Sequence, residues 1–198
     1  VTLRGSGDNT VLRKTASVLT PLSRDSDWFE YGVEVENPTG FTVGGAVMLR
    51  VPTGPGDWQY DVLQATVTAV EGKVLYLDRM IQDNYWADED AAAGTIFPLL
   101  SAENIDDVVV EDLVLDGNME QNHHINGNFA GAVFIQFCNR WRFENVAATN
   151  YNGDGFSFQA CDDVEFVHCR SINNADLGFH PGSGSQRPVF RDLSLIHI

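Results

Sequence analysis

Five side chains that exchange protons or carry charge near neutral pH lie within about sixty residues of one another: His123, His124, Asp154, Asp176 and His180. An imidazole and a carboxylate within hydrogen-bond reach can pass a proton between them at neutral pH. Hydrolysis of a glycosidic bond asks for two carboxyls, one of them protonated, and their separation decides inversion or retention. Asp154 with Asp176, or with Asp162 or Asp163, offers such a pair. Elimination or epimerisation at a uronate asks for a base near the sugar carboxylate and a cation to neutralise it; His180 and Arg187 have those chemistries. Plainer roles stand beside each of these. Asp154 precedes a strand, as turn residues do, and His123–His124 also read as a solvated loop. Asp107 aligns with Asp163, so the pairs Asp106–Asp107 and Asp162–Asp163 read as a recurring turn signature.

A repeat must position these residues. Gly131–Val146 lies over Asp154–Cys169 with Gln136 on Gln159, Cys138 on Cys161 and Phe143 on Phe166, all 23 residues apart. A third copy, Leu177–Leu193, places Gly178 on Gly155 and Phe190 on Phe166, with one residue inserted. Upstream, Asn104–Asn118 carries the second half of the unit, and about ten extra residues follow it in a loop that holds His123 and His124. Within each copy apolar and polar residues alternate with period two, as in Phe156-Ser157-Phe158-Gln159. Units this short cannot bury an apolar face alone, so they must stack. The expected fold is all-β, a right-handed parallel β-helix with like side chains on successive rungs about 4.8 Å apart. Asn145, Asn150, Asn152, Asn173 and Asn174 fall at its corners, where Asn tolerates left-handed backbone. Phe134, Ser157 and His180 are expected in one outward column, Gln136, Gln159 and Gly182 in the next, with His123, His124, Asp154 and Asp176 gathered at one end of that sheet. Cys138, Cys161 and Cys169 read as small core residues rather than as a disulfide framework or a metal motif.

The chain holds 28 acidic against 12 basic residues, a formal charge of −16, which disfavours nucleic acid and anionic membrane as partners. It would also repel an acidic polysaccharide unless local Arg, Lys or a bound cation reversed the field. No apolar run is long enough for a membrane-spanning helix. Residues 1–32 read as a first rung and a connection, 33–100 as a small all-β insertion with a hairpin at Glu71–Gly72, and 101–193 as the stacked rungs. Residues 194–198 resemble adaptor read-through and are expected outside the repeat. The opening at Val1, directly in strand-like sequence, reads as that of a fragment. Trp58, Tyr60, Tyr85 and Trp86 suit either stacking on sugar rings or packing inside the insertion.

From Ser101 to Leu193 the repeat resembles the pectate-lyase-like right-handed β-helix superfamily of polysaccharide lyases, glycoside hydrolases and uronan epimerases. Asn152-Gly153-Asp154 matches the Asn-x-Asp of polygalacturonase-like members. Asp162–Asp163 follows too soon for their next element, and Gly178-Phe179-His180 stands where they carry Gly-His-Gly. Against the Gly-Phe-Asp-Pro-His of uronan epimerases, His180 replaces the Asp and Gly182 the His. The resemblance implies an extracellular or periplasmic protein whose partner is a polysaccharide, with Asp154, Asp176 and His180 as catalytic candidates. Gln136, Gln159, His123, His124, Asn152 and Arg187 are candidates for holding substrate. No metal ligands and no cofactor are assigned, although Ca²⁺ at the acidic corners is compatible with the residue types. The alternative is a non-catalytic glycan-binding or structural β-helix, resembling a tail spike or an adhesin. The oligomeric state is left open.

Overall fold

A computed structural model describes residues 1–55 and 60–196, so Trp58 and His197 lie outside the described residues. Among the described residues the regular structure is all β apart from two short 3-10 turns. The chain divides into two compact units, one of Val1–Ala16 with Pro98–Ile198 and the other of Ser17–Phe97.

The first unit opens with β1 (Thr2–Arg4) and β2 (Val11–Arg13). The second unit then contributes β3 (Leu19–Pro21), β4 (Gly32–Glu34), β5 (Ala46–Pro52), β6 (Tyr60–Glu71), β7 (Val74–Leu77) and β8 (Ala92–Gly94). These six pair antiparallel in the order β3-β8-β5-β6-β7-β4. A further bridge between Leu22 and Val35 joins the two end strands, so the sheet closes on itself and hides its edges. Val33, Leu49, Leu75, Ile81 and Tyr85 pack inside, each fully buried. The hairpin turns at Gly72, whose φ of 59° is a left-handed conformation that glycine adopts freely. The unit begins at Ser17, not at Val33. Residues 17–32 belong to it because β3 finds its hydrogen-bond partners in β8, not in the repeat. Tyr85 is core, and Tyr60 lies under Arg50, whose guanidinium carbon is 5.0 Å from the ring centroid.

The chain re-enters the first unit with β9 (Leu100–Glu103), β10 (Val109–Asp116), β11 (Gly131–Gln136), β12 (Arg142–Thr149) and β13 (Asp154–Gln159). It continues with β14 (Glu165–Val167), β15 (Arg170–Ile172), β16 (Phe179–Pro181), β17 (Val189–Arg191) and β18 (Ser194–Ile196). Every pairing among these strands is parallel. One sheet runs β16-β13-β11-β9; the other is built on β1-β10-β12-β14-β17, with β2, β15 and β18 continuing it. The chain alternates between the two sheets, and each turn adds one strand to each. Register follows the repeat: Gln136 pairs with Gln159, and Phe143 with Phe166, which pairs in turn with Phe190. Ser194–Ile196 keep that register against Arg170–Ile172, so they continue the repeat instead of lying outside it.

Stacked side chains fill the interior. The rings of Phe143 and Phe166 are 4.9 Å apart and tilted by only 6°, those of Phe166 and Phe190 5.4 Å and 7°, and those of Phe156 and Phe179 4.8 Å and 7°. The three cysteines are free and buried, and the Cys138 N–H donates to Cys161 Sγ at 3.4 Å. The corners stack as well. Asp107, Arg140, Asp163 and Arg187 are all left-handed, as are Asp112, Asn145, His168 and Asp192, and Asn150 with Asn173. The second of these columns bends the longer strands, so each turn has three short straight runs. At the third, Asn173 donates its side-chain amide to Asn150 Oδ1 at 2.8 Å, which repays part of the cost of left-handed backbone. Asn152 and Asn174 are instead buried beside that corner with ordinary φ.

Candidate functional site

Asp154 opens β13 and His180 sits in the middle of β16, its neighbour in the sheet. Parallel register brings the His180 ring to the start of β13, where Nδ1 lies 2.7 Å from Asp154 Oδ2. The other carboxylate oxygen accepts the Leu177 N–H at 2.8 Å. Asp154 is 1% exposed and His180 22%, so the carboxylate is sealed while the imidazole keeps an open edge. Burial pushes the Asp154 carboxyl above the usual carboxylate range. The hydrogen bonds from His180 and Leu177 oppose this, and the negative charge of Asp176 adds to it.

The extra loop provides the seal. It leaves β10 at Gly117, whose N–H donates to Thr149 O at 2.7 Å, and returns into β11. Asn118, the Lys14 ammonium and Asn122 pin its first turn to the chain after β2. Ile125 N–H then donates to Asn152 O at 3.0 Å. Gly127 lies directly on Asp154: a side chain there would begin 2.1 Å from the carboxyl carbon. Its carbonyl accepts the Ser157 hydroxyl at 2.9 Å and its N–H donates to Asp176 Oδ2 at 3.2 Å. Asp176 Oδ1 lies 3.1 Å from His124 Nε2, with side chains 28% and 44% exposed. Thus His180–Asp154 and His124–Asp176 form two pairs on either side of Gly127.

The structure therefore brings His124, Asp154, Asp176 and His180 together, but not as an open row on a sheet face. The outward column is covered, with Phe134 at 4% and Ser157 at 1% exposure, because the loop folds back over it. Asn152 is likewise 1% exposed, with neither amide atom hydrogen-bonded, and the adjoining Tyr151 hydroxyl is buried without a partner. Asn152 cannot touch a substrate in this arrangement. Arg187 is elsewhere. It grips Asp163 through two hydrogen bonds of 2.7 and 2.9 Å and Asp162 through one of 3.2 Å. That corner follows the far end of β13, roughly 16 Å of strand away from Asp154. Arg140 makes the same grip on Asp106 and Asp107, so the acidic pairs and the arginines alternate up one corner as a structural ladder. The role of Arg187 as a neutraliser beside His180 is thereby removed. Gln136 and Gln159 are register neighbours near that same far end, and Gly182 leaves room for the Gln159 amide to lie across it. His123 sits exposed in the loop.

Gly127 carries no signal of its own in the repeat, and Ser157 reads there only as an outward position. The only available signal was Asn126-Gly127-Asn128, a turn pattern within the extra loop. Among the described residues no group of three His, Cys, Asp or Glu is placed to hold a metal ion, and no helix is long and apolar enough to cross a membrane.

No protein-family model matches the chain, and no curated protein sequence matches it. Several solved structures are similar to it. The tailspike gp61 of Pseudomonas phage phi297 aligns at 11% identity over 98% of this chain and 39% of its own, with a TM-score of 0.42. The tailspike gp49 of Pseudomonas phage LKA1 aligns at 13% identity over 97% and 38%, TM-score 0.38. The gp54 tailspike of Acinetobacter baumannii bacteriophage AP22, in complex with an A. baumannii capsular saccharide, aligns at 10% over 100% and 48%, TM-score 0.39. The chain spans less than half the length of each. Likeness this loose assigns no activity.

Proposed function

We propose that the first unit is part of a right-handed parallel β-helix that acts on a polysaccharide outside the cell, with His180 as its proton-transfer group. The observation that supports this reading is the sealed Asp154 carboxylate 2.7 Å from His180 Nδ1, with the imidazole partly exposed. An ionised Asp154 accepts the Nδ1 proton and leaves the Nε2 lone pair outward as a base; a neutral one reverses the tautomer and makes Nε2 a donor. Asp154 is in this reading a positioning residue, because its own oxygens do not reach the surface. The more exposed Asp176–His124 pair is the second proton carrier. Of the Asp154–Asp176 pair only Asp176 is accessible, which favours base-initiated chemistry over two-carboxyl hydrolysis.

The full chain is to be incubated with neutral and acidic polysaccharides, reading both new reducing ends and unsaturated products. Release is expected from at least one polysaccharide, with a loss of about 10²-fold or more in His180→Ala, as removal of a general base costs. Equal release by the wild type and His180→Ala removes the assignment. A second reading, a glycan binder without catalysis, draws on the covering of Asp154, Ser157 and Phe134 by the loop. Saturable polysaccharide binding with no product from any substrate would select it.

A further inference from the structure

We infer that the second unit carries a saccharide-binding cleft of its own, suited to neutral or amino sugars and closed to uronates. The cleft has a volume of about 570 Å³, within the range of roughly 300–1,000 Å³ that holds small organic ligands. Its walls come from the ends of β5 and β6, from the loop around Trp28, and from Asp83–Glu89. Two of those walls are braced together. Ser26 and Tyr85 exchange backbone hydrogen bonds of 3.0 and 2.8 Å, and the Ala87 N–H donates to Asp25 Oδ1 at 2.9 Å. Between Asn84 and Trp86 the fully buried Tyr85 ring anchors the segment in the core.

Two features point to a sugar. Trp28 and Trp86 supply broad apolar faces in a cleft that also carries polar and acidic side chains, and Trp28 is 50% exposed. An indole left this open while its loop is firmly held is placed to be covered by something else. Around the indoles stand Asp61, Asp83, Glu89 and Asn84. A pyranose lays its C–H face on an aromatic ring and directs its hydroxyls sideways, where carboxylates accept them in charge-assisted bonds. Behind this wall the Tyr85 hydroxyl is buried without a partner, and burial first, then the charges of Asp83 and Asp61, raise its pKa.

Charge sets the selectivity. None of the described residues lining the cleft is basic, so a sugar carboxylate would enter a field of three acids. A hexosamine ammonium would be paired. The three acids form no metal-holding group, which leaves them as separate acceptors around a larger ligand.

Calorimetric titration of the full chain with a glucosamine oligomer, a cello-oligosaccharide, a malto-oligosaccharide and an oligogalacturonate tests this. The amino sugar and at least one neutral oligomer are expected to bind and the galacturonate not. Trp28→Ala and Asp83→Asn should each weaken binding at least tenfold with an unchanged melting temperature, while His180→Ala should bind like the wild type. Binding that survives both cleft substitutions, or is lost with His180→Ala, belongs to the first unit and overturns the inference. So do preference for the uronate and failure of every sugar in the panel to bind.

Discussion

Asp154 is where the residue scale matters most, since a buried carboxyl costs stability when ionised. Its folded pKa is raised, so the native state holds the proton more tightly than the unfolded chain does. The stabilisation tied to that proton is complete below the ordinary aspartate range and is lost as pH rises through the raised native value. Asp154→Asn removes the ionisable group but leaves an acceptor for Leu177 and a partner for His180. The variant is expected to melt no lower than the wild type at pH 8 and to lose its relative advantage at pH 4, while activity through His180 falls. Thermal melts at the two pH values check this; a variant several degrees less stable at pH 8 would mean the charge itself holds the loop. The sequence suggested the Asp154–His180 neighbourhood because 26 residues is one turn plus a short offset. It did not reveal that Gly127 closes over the pair.

Strands stacked in register make the element scale nearly additive, one turn upon the next. Phe166 is 1% exposed and lies between two parallel rings, with the edges of Phe156 and Phe179 against it. Phe190, one rung on, is 39% exposed. Phe166→Ala is expected to cost about 3–5 kcal/mol, as buried Phe truncations do, and Phe190→Ala clearly less. Denaturant midpoints of the two variants measure the difference, and equal losses would contradict the stacking order. The arginine ladder is a different kind of element. Arg140 and Arg187 are more than half exposed, so water screens them and their removal should leave the midpoint almost unmoved. This ladder was half legible: Asp107 and Asp163 align in the sequence as a turn signature, but arginines on alternate rungs follow no simple repeat.

At the scale of the whole molecule, the two units are separable in the chain because the second closes on itself. Its ends are tied to each other: the Thr95 N–H donates to Val18 O at 2.8 Å, and the Val18 N–H to Thr95 Oγ1 at 2.8 Å. Residues 17–97 expressed alone are therefore expected to fold cooperatively, with a single thermal transition and a dispersed amide spectrum. A molten or unfolded product would show that the closed sheet needs the rest of the chain.

What the sequence alone determined was periodicity: the register of 23, the facing phenylalanines, the buried cysteines and the parallel pairing all follow from like residues recurring on short alternating strands. Tertiary structure alone decided which outward face stays open. The extra loop has no counterpart on other rungs, so no repeat governs its path. Its contacts through Gly127, Lys14 and Asn122 join positions up to about a hundred residues apart, and only folding in three dimensions could place a glycine on Asp154 and leave His180 at the rim.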